Sequence, residues 1–253
     1  MTSADAAPER SAGNARSSSN AGRCLVVLPT YQERENIRAT LAAVLAASPR
    51  ADAVVVDDGS PDGTASVVSI MGRVQARIAL IARSGKLGLG TAYLAGIRHG
   101  LDAGYGMIAT MDADGSHDPV ALPDMLVRVE SGADLAIGSR YAPGGSVENF
   151  SLARKLNSAV ANGVARVLLG LAVRDCTSGF RVYSAALLRK MRLDQLRSTG
   201  YSMIPEMLYE ASRAGARIVE VPIAFRNREK GVSKVTASEI LSWVRTVAAL
   251  RRF

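Results

Sequence analysis

Short apolar runs alternate with longer stretches whose apolar residues recur every third or fourth position. The runs Leu25-Val26-Val27-Leu28, Ala53-Val54-Val55-Val56, Ile78-Ala79-Leu80-Ile81 and Met107-Ile108-Ala109-Thr110, with segments 134–137 and 218–224, are each bounded by turn residues. Such runs read as buried strands. Helical spacing covers 34–47, where Ile37, Leu41, Val44 and Leu45 share a face, then 67–72, a segment ending near Gly104, and 122–131. It returns over 151–173, over 205–214 with Pro205 in the first turn, and over 236–252. Strand and helix in alternation predict an α/β fold around a Rossmann-like, mostly parallel central sheet with flanking helices.

Residues 1–22 are Ser, Ala, Asn and Gly with scattered charges and no periodicity, so they read as a disordered tail. One domain is expected over 23–235, followed by an amphipathic helix over 236–253. With 253 residues, 48% of them hydrophobic, the chain is long enough for one sizeable core. The longest candidate for a membrane span, 160–173, is interrupted by Asn162 and Arg166. The N-terminus lacks the apolar core of a signal peptide, which predicts a cytoplasmic protein, peripheral on the cytoplasmic face of a membrane. Cys24 and Cys176 are expected to stay reduced.

The net charge of +8 changes this picture through its distribution. Residues 1–173 balance 16 basic against 16 acidic residues, whereas 174–253 hold 15 against 7. Something anionic is met by the last third. An aromatic content of 5% without aromatic-basic interleaving argues against nucleic acid. Phosphate on a small substrate or a lipid head fits better. Trp243 and the terminal Arg251-Arg252 favour membrane contact for 236–253, although core packing is the commoner use of an amphipathic helix.

Candidate chemistry concentrates where strands end. Met111-Asp112-Ala113-Asp114-Gly115-Ser116-His117 closes the fourth run and puts two carboxylates one residue apart in a Gly-Ser turn. They suit a hard divalent cation together with a nucleotide's phosphates or ribose, although acidic residues also favour turns on their own account. Pro29-Thr30-Tyr31-Gln32-Glu33 and Asp57-Asp58-Gly59-Ser60 end two other strands, and carboxyl ends of parallel strands share one edge. Gly88-Leu89-Gly90 fails as a dinucleotide fingerprint, because Tyr93 stands where a small residue is required. Lys86 in that loop either contacts a substrate phosphate or caps the turn.

These pieces in this order, with Gly138-Ser139-Arg140-Tyr141, Thr177-Ser178-Gly179-Phe180-Arg181 and the basic stretch from Arg228 to Lys234, resemble the dolichol- or polyprenol-phosphate mannosyltransferases. Those are inverting glycosyltransferases of the GT-A fold, in glycosyltransferase family 2. The resemblance spans about 23–253 and implies amphipathic interfacial helices. It implies mannose transfer from GDP-mannose to a polyprenyl or dolichyl monophosphate, with Mg²⁺ or Mn²⁺ as cofactor. Pro29, Tyr31, Glu33, Val56 and Asp58 would line the nucleotide pocket. Asp112 and Asp114, with Ala113 and Ser116 beside them, would hold the metal. Arg140, Arg228 and Lys234 match phosphate-binding positions, and Arg154 matches a basic residue opening an interfacial helix. Gln32 stands where Asn is usual, and Ser116 where some members place a Gln ligand. Transfer of glucose or another sugar would leave much the same sequence. A non-catalytic nucleotide- or partner-binding module on the membrane surface is the reading from another class. The lipid would be reached through the chain's own helices, through an integral membrane partner, or both.

Overall fold

The structure, a computed structural model, describes residues 20–148 and 152–226, and of residues 152–157 the backbone only. Its centre is a seven-stranded sheet built from β1 (Cys24–Thr30), β2 (Ala51–Asp57), β3 (Ile78–Ala82), β4 (Met107–Thr110), β5 (Leu135–Ser139), β7 (Arg181–Ser184) and β8 (Ile218–Pro222). Their order is β3-β2-β1-β4-β7-β5-β8. All run parallel except β7, which is antiparallel to both of its neighbours. A two-stranded ribbon pairs β6 (Ser146–Val147) with β9 (Ala224–Phe225).

The apolar runs form central strands because both sheet faces are covered. Leu25, Val27, Val54 and Val56 join one core cluster, while Val26, Leu28, Ala53 and Val55 join the other. This is the period-2 alternation of a strand buried on two sides. Against the first face pack α3 (Leu89–Asp102) through Ala92, Tyr93 and Ile97, and α7 (Met203–Arg213) through Met203, Met207 and Leu208. Against the second pack α1 (Ile37–Ala47) through Ile37, Leu41 and Val44, and α4 (Leu122–Glu130) through Leu122, Met125 and Leu126. Each such side chain, fully buried, is worth about 1.5–3 kcal/mol. A Cβ at Gly96 would stand 2.2 Å from Val27 Cγ1, so only glycine lets α3 lie this close to β1. A further helix, α2 (Thr64–Val74), covers the β3 edge.

Two expectations change. The helix over 151–173 is α5 (Leu152–Leu169), which stops before Gly170; that residue's φ of +63° is the left-handed conformation that ends helices. Strand β7 and the short α6 (Ala185–Lys190) escaped the hydrophobic pattern, because β7 opens on an arginine instead of an apolar run. The strand-to-helix alternation otherwise stands. Asn20, at the end of the expected tail, is tied to the end of α3, its side-chain amide donating to Ala103 O at 3.0 Å. Both cysteine thiols are free and buried. No helix among the described residues is long and apolar enough to cross a membrane.

Candidate active site

The parallel strands bring three clusters to one edge, as the pattern of strand ends predicts. Thr30 and Asp57 are register partners on β1 and β2, joined by a Thr30 Oγ1 to Asp57 Oδ1 hydrogen bond of 2.9 Å. Beyond β4 the chain enters the turn that carries Asp112 and Asp114. Ser116 donates to Asp114 Oδ1 from its amide at 3.0 Å and its hydroxyl at 2.6 Å, which fixes that carboxylate in the turn. Gly115 supplies the positive φ of +77°. Asp114 is 8% exposed, while the Asp112 side chain remains 26% exposed. Tyr93, buried on α3, donates from its hydroxyl to Asp112 Oδ1 at 3.0 Å. Ala113 is buried beside them, its carbonyl accepting from Thr40 Oγ1 at 3.0 Å.

His117 backs the turn. Its Nδ1 accepts from the Asp112 amide at 3.4 Å and lies 3.7 Å from Asp112 Oδ2. The ring packs between Phe180 and Phe225, at centroid distances of 5.7 and 5.0 Å. Burial pulls its pKa below the ordinary value even though Asp112 and Asp114 pull the other way, so the imidazole is neutral near pH 7. The Arg226 amide donates to Ser116 O at 3.0 Å, joining this turn to the end of β9.

Arg140 also lies against Phe225. Its side chain is 9% exposed and grips Asp175 with two parallel bonds of 2.8 Å, while Nη2 also donates to Thr177 Oγ1 at 2.6 Å. The guanidinium carbon stands 5.3 Å over the Phe225 ring. Burial works against both charges, yet their mutual bonding raises the Arg140 pKa and holds Asp175 below the usual carboxylate range. Next to Arg140, Tyr141 borders an open cavity of about 320 Å³ lined also by Ala159, Asn162, Gly163, Arg166 and Arg174.

The remaining predicted residues divide into three groups. Tyr31, 37% exposed, and Lys86 meet at this edge, with Nζ 4.6 Å from the ring centroid. Pro29 is half-buried beside them, and Glu33 Oε2 accepts from Asn36 Nδ2 at 2.7 Å. Asp58 and Val56 face inward. Asp58 accepts from Arg83 Nε at 2.6 Å and from the Leu87 and Gly88 amides at 3.1 Å, so it anchors the glycine loop; Val56 is wholly buried. Arg154 lies in α5 with its side chain outside the described part, and Arg228, Lys234 and the helix over 236–253 lie outside the described residues.

Sequence reasoning missed Tyr93, His117, Arg83, Thr177 and Arg181 as parts of this site. Arg181, 1% exposed, donates to Cys176 O, Ser178 O and Ile204 O at 2.8, 2.9 and 2.5 Å, and so ties down the loop that holds Arg140. Two buried carboxylates with the chemistry of a general base, Asp175 and Glu206, are committed elsewhere. Glu206 accepts from the Arg197 and Ser198 amides, both at 2.9 Å. Among the described residues no group of three or more His, Cys, Asp or Glu side chains forms a closed metal cage.

A mostly parallel sheet with paired acids at its carboxyl edge is the architecture of GT-A glycosyltransferases. Glucosyl-3-phosphoglycerate synthase from Mycobacterium tuberculosis, solved with Mn²⁺, UDP-glucose and phosphoglyceric acid, superposes with a TM-score of 0.66 at 20% identity over 97% of this chain and 84% of that one. Its complex with Mg²⁺ and UDP superposes at 0.64, again at 20% identity, over 96% and 83%. The glycosyl transferase family 2 model matches residues 25–192. Polyprenol monophosphomannose synthase of Mycolicibacterium smegmatis is 45% identical over 219 residues, 86% of this chain and 83% of the relative. Undecaprenyl-phosphate mannosyltransferase of Micrococcus luteus is 44% identical over 214 residues, 85% and 88% of the two chains. The chain belongs to glycosyltransferase family 2.

Proposed function

We propose that this protein transfers mannose from GDP-mannose to a polyprenyl, dolichyl-type, monophosphate at the cytoplasmic face of a membrane. Relatives bearing that acceptor in their names support the reading. The observation that carries it is the pairing of Arg140 with Asp175 beside the Asp112–Asp114 turn, which, with Glu206 held by two backbone amides, leaves neither of these two acids free to act as base. An alcohol acceptor needs a base to take its proton. A phosphate monoester, with a second pKa near ~6, is already largely dianionic at neutral pH.

The donor set fits a hard divalent cation: two carboxylates at one turn, without sulfur or a closed cage, are the sparse oxygen set that suits Mg²⁺ or Mn²⁺ shared with substrate phosphates. Asp112 and Asp114 would hold it, and when bound it would neutralise the departing diphosphate. The protein's own residues do the remaining work. Lys86 and Tyr31 border the donor side. Arg140 is held rigid by Asp175 and Thr177, so it presents a directed donor instead of a mobile charge, and orienting an acceptor oxygen this way lowers the entropic part of the barrier. Arg166 and Arg174 add positive potential next to it. Arg228, Lys234 and Arg154 are proposed to complete the phosphate site, and 236–253 the membrane contact.

Labelled GDP-mannose offered with polyprenyl phosphate, with free sugar and with protein separates the acceptors. Transfer to the lipid phosphate alone is expected. Equal transfer to acceptors without phosphate overturns the assignment.

A further inference from the structure

Helix α3 does more than cover the sheet. Its first turn leaves the glycine loop, which Asp58 holds through the Leu87 and Gly88 amides and which sets Lys86 over Tyr31. One turn later Tyr93 reaches out of the core, 2% exposed, with its hydroxyl 3.0 Å from Asp112 Oδ1. Gly179 closes the space: a Cβ there would touch both oxygens at 3.4 Å. Asp112 is thereby gripped on one carboxylate oxygen, with the other towards His117 Nδ1. Asp114 is gripped on Oδ1 by Ser116. The two acids are fixed by different means. Ser116 belongs to the same turn, whereas Tyr93 comes from an element rooted in the donor-side loop.

We infer that Tyr93 is a positioning residue for the metal clamp, its hydroxyl holding the Asp112 carboxylate in one orientation at the turn that also carries Asp114. The inference rests on the metal reading above. It accounts for the failed dinucleotide pattern, because the position where that pattern needs a small residue here needs a side chain long enough to cross to the acid. A donor behind a ligating group fixes its orientation, and removing such a partner costs roughly 10–100-fold in metal affinity.

The test is Tyr93→Phe in the full chain, with Mn²⁺ affinity measured by electron paramagnetic resonance titration in the presence of GDP or UDP. A matched control exists at the opposite edge of the sheet, where Tyr105 donates to Asp52 Oδ2 at 2.9 Å. Tyr105→Phe deletes the same kind of bond far from the turn. Tyr93→Phe is expected to weaken Mn²⁺ binding about tenfold or more and to raise the Mn²⁺ needed for half-maximal transfer in proportion. At saturating Mn²⁺ its turnover should stay within a few-fold of wild type. Tyr105→Phe should leave Mn²⁺ affinity unchanged. Mn²⁺ affinity of Tyr93→Phe within twofold of wild type overturns the inference and leaves the metal reading standing. Absence of Mn²⁺ binding by the wild-type protein with either nucleotide overturns both. Should Tyr93→Phe fail to fold, Tyr93→Met, which fills similar space without a donor, is read in the same way.

Discussion

Arg140 and Asp175 meet in a nearly water-free ion pair, Nε to Oδ2 and Nη2 to Oδ1 both at 2.8 Å, with Asp175 also accepting the Arg140 amide at 3.0 Å. Breaking a buried pair by removing one partner strands the other charge, at a cost of about 3–5 kcal/mol. Asp175→Asn is therefore expected to lower stability by that order and transfer by at least a hundredfold, read by chemical denaturation and turnover. Thr177→Val, which removes the 2.6 Å contact to Nη2 and the longer 3.4 Å one from the Thr177 hydroxyl to Asp175 Oδ1, should cost about 1–2 kcal/mol and chiefly raise KM for the lipid phosphate. Unchanged KM in a folded Thr177→Val protein would remove Thr177 from the acceptor side.

The same pair sets an acid limit. Asp175 has a folded pKa below its unfolded value, so the unfolded chain binds its proton first as pH falls. Its contribution is fully present above about pH 4, the unfolded value, and is lost as pH drops through the lower folded one. Denaturation midpoints measured from neutral pH downwards should decline more steeply below about pH 4 in wild type than in Asp175→Asn. Parallel curves would mean the pair is not linked to acid stability.

Much of this was legible beforehand, for a physical reason. Strands buried on both faces must be apolar throughout, so β1, β2 and β4 announce themselves, and parallel strands must end together, which puts Thr30, Asp57 and Asp112 on one edge. Tertiary partners were not legible. Tyr93 lies 19 positions from Asp112 and Asp175 lies 35 from Arg140, and no local spacing rule reaches so far. Strand β7 stayed hidden because its first residue, Arg181, is a buried charge satisfied by carbonyls.

Asp114→Ala removes a carboxylate whose hydrogen bonds to Ser116 lie within its own turn, so the fold should survive while transfer is abolished. Chelation of divalent cations should have the same effect on wild type, reversed by Mg²⁺ or Mn²⁺. Near-normal turnover in the folded variant rejects the metal role of this turn.

Gln32 has a φ of +63°, the one positive value outside glycine among the described residues. An L residue there strains against its own carbonyl by roughly 1–2 kcal/mol, and Asn is relieved more than Gln by local hydrogen bonding. This gives a backbone reason for the Asn usual in the resembling family. Gln32→Asn should raise Tm by about 2 °C, corresponding to ~0.5–1 kcal/mol. A fall in Tm would show that the Gln32 side chain contributes more than its backbone costs.

Arg181 decides between two readings of Thr177-Ser178-Gly179-Phe180-Arg181. As a phosphate ligand it would need an open guanidinium, and its loss would leave the fold untouched. The structure gives it three backbone carbonyls and 1% exposure, so its charge serves the loop. Lys at this position supplies donors without the planar fork and leaves carbonyls unmatched, each worth about 1–3 kcal/mol when buried. Arg181→Lys is expected to unfold at markedly lower denaturant and to lose turnover through a displaced Arg140, with binding of the proposed donor, GDP-mannose, retained in the folded fraction. Wild-type stability together with a large rise in KM for the lipid phosphate would instead make Arg181 a substrate ligand.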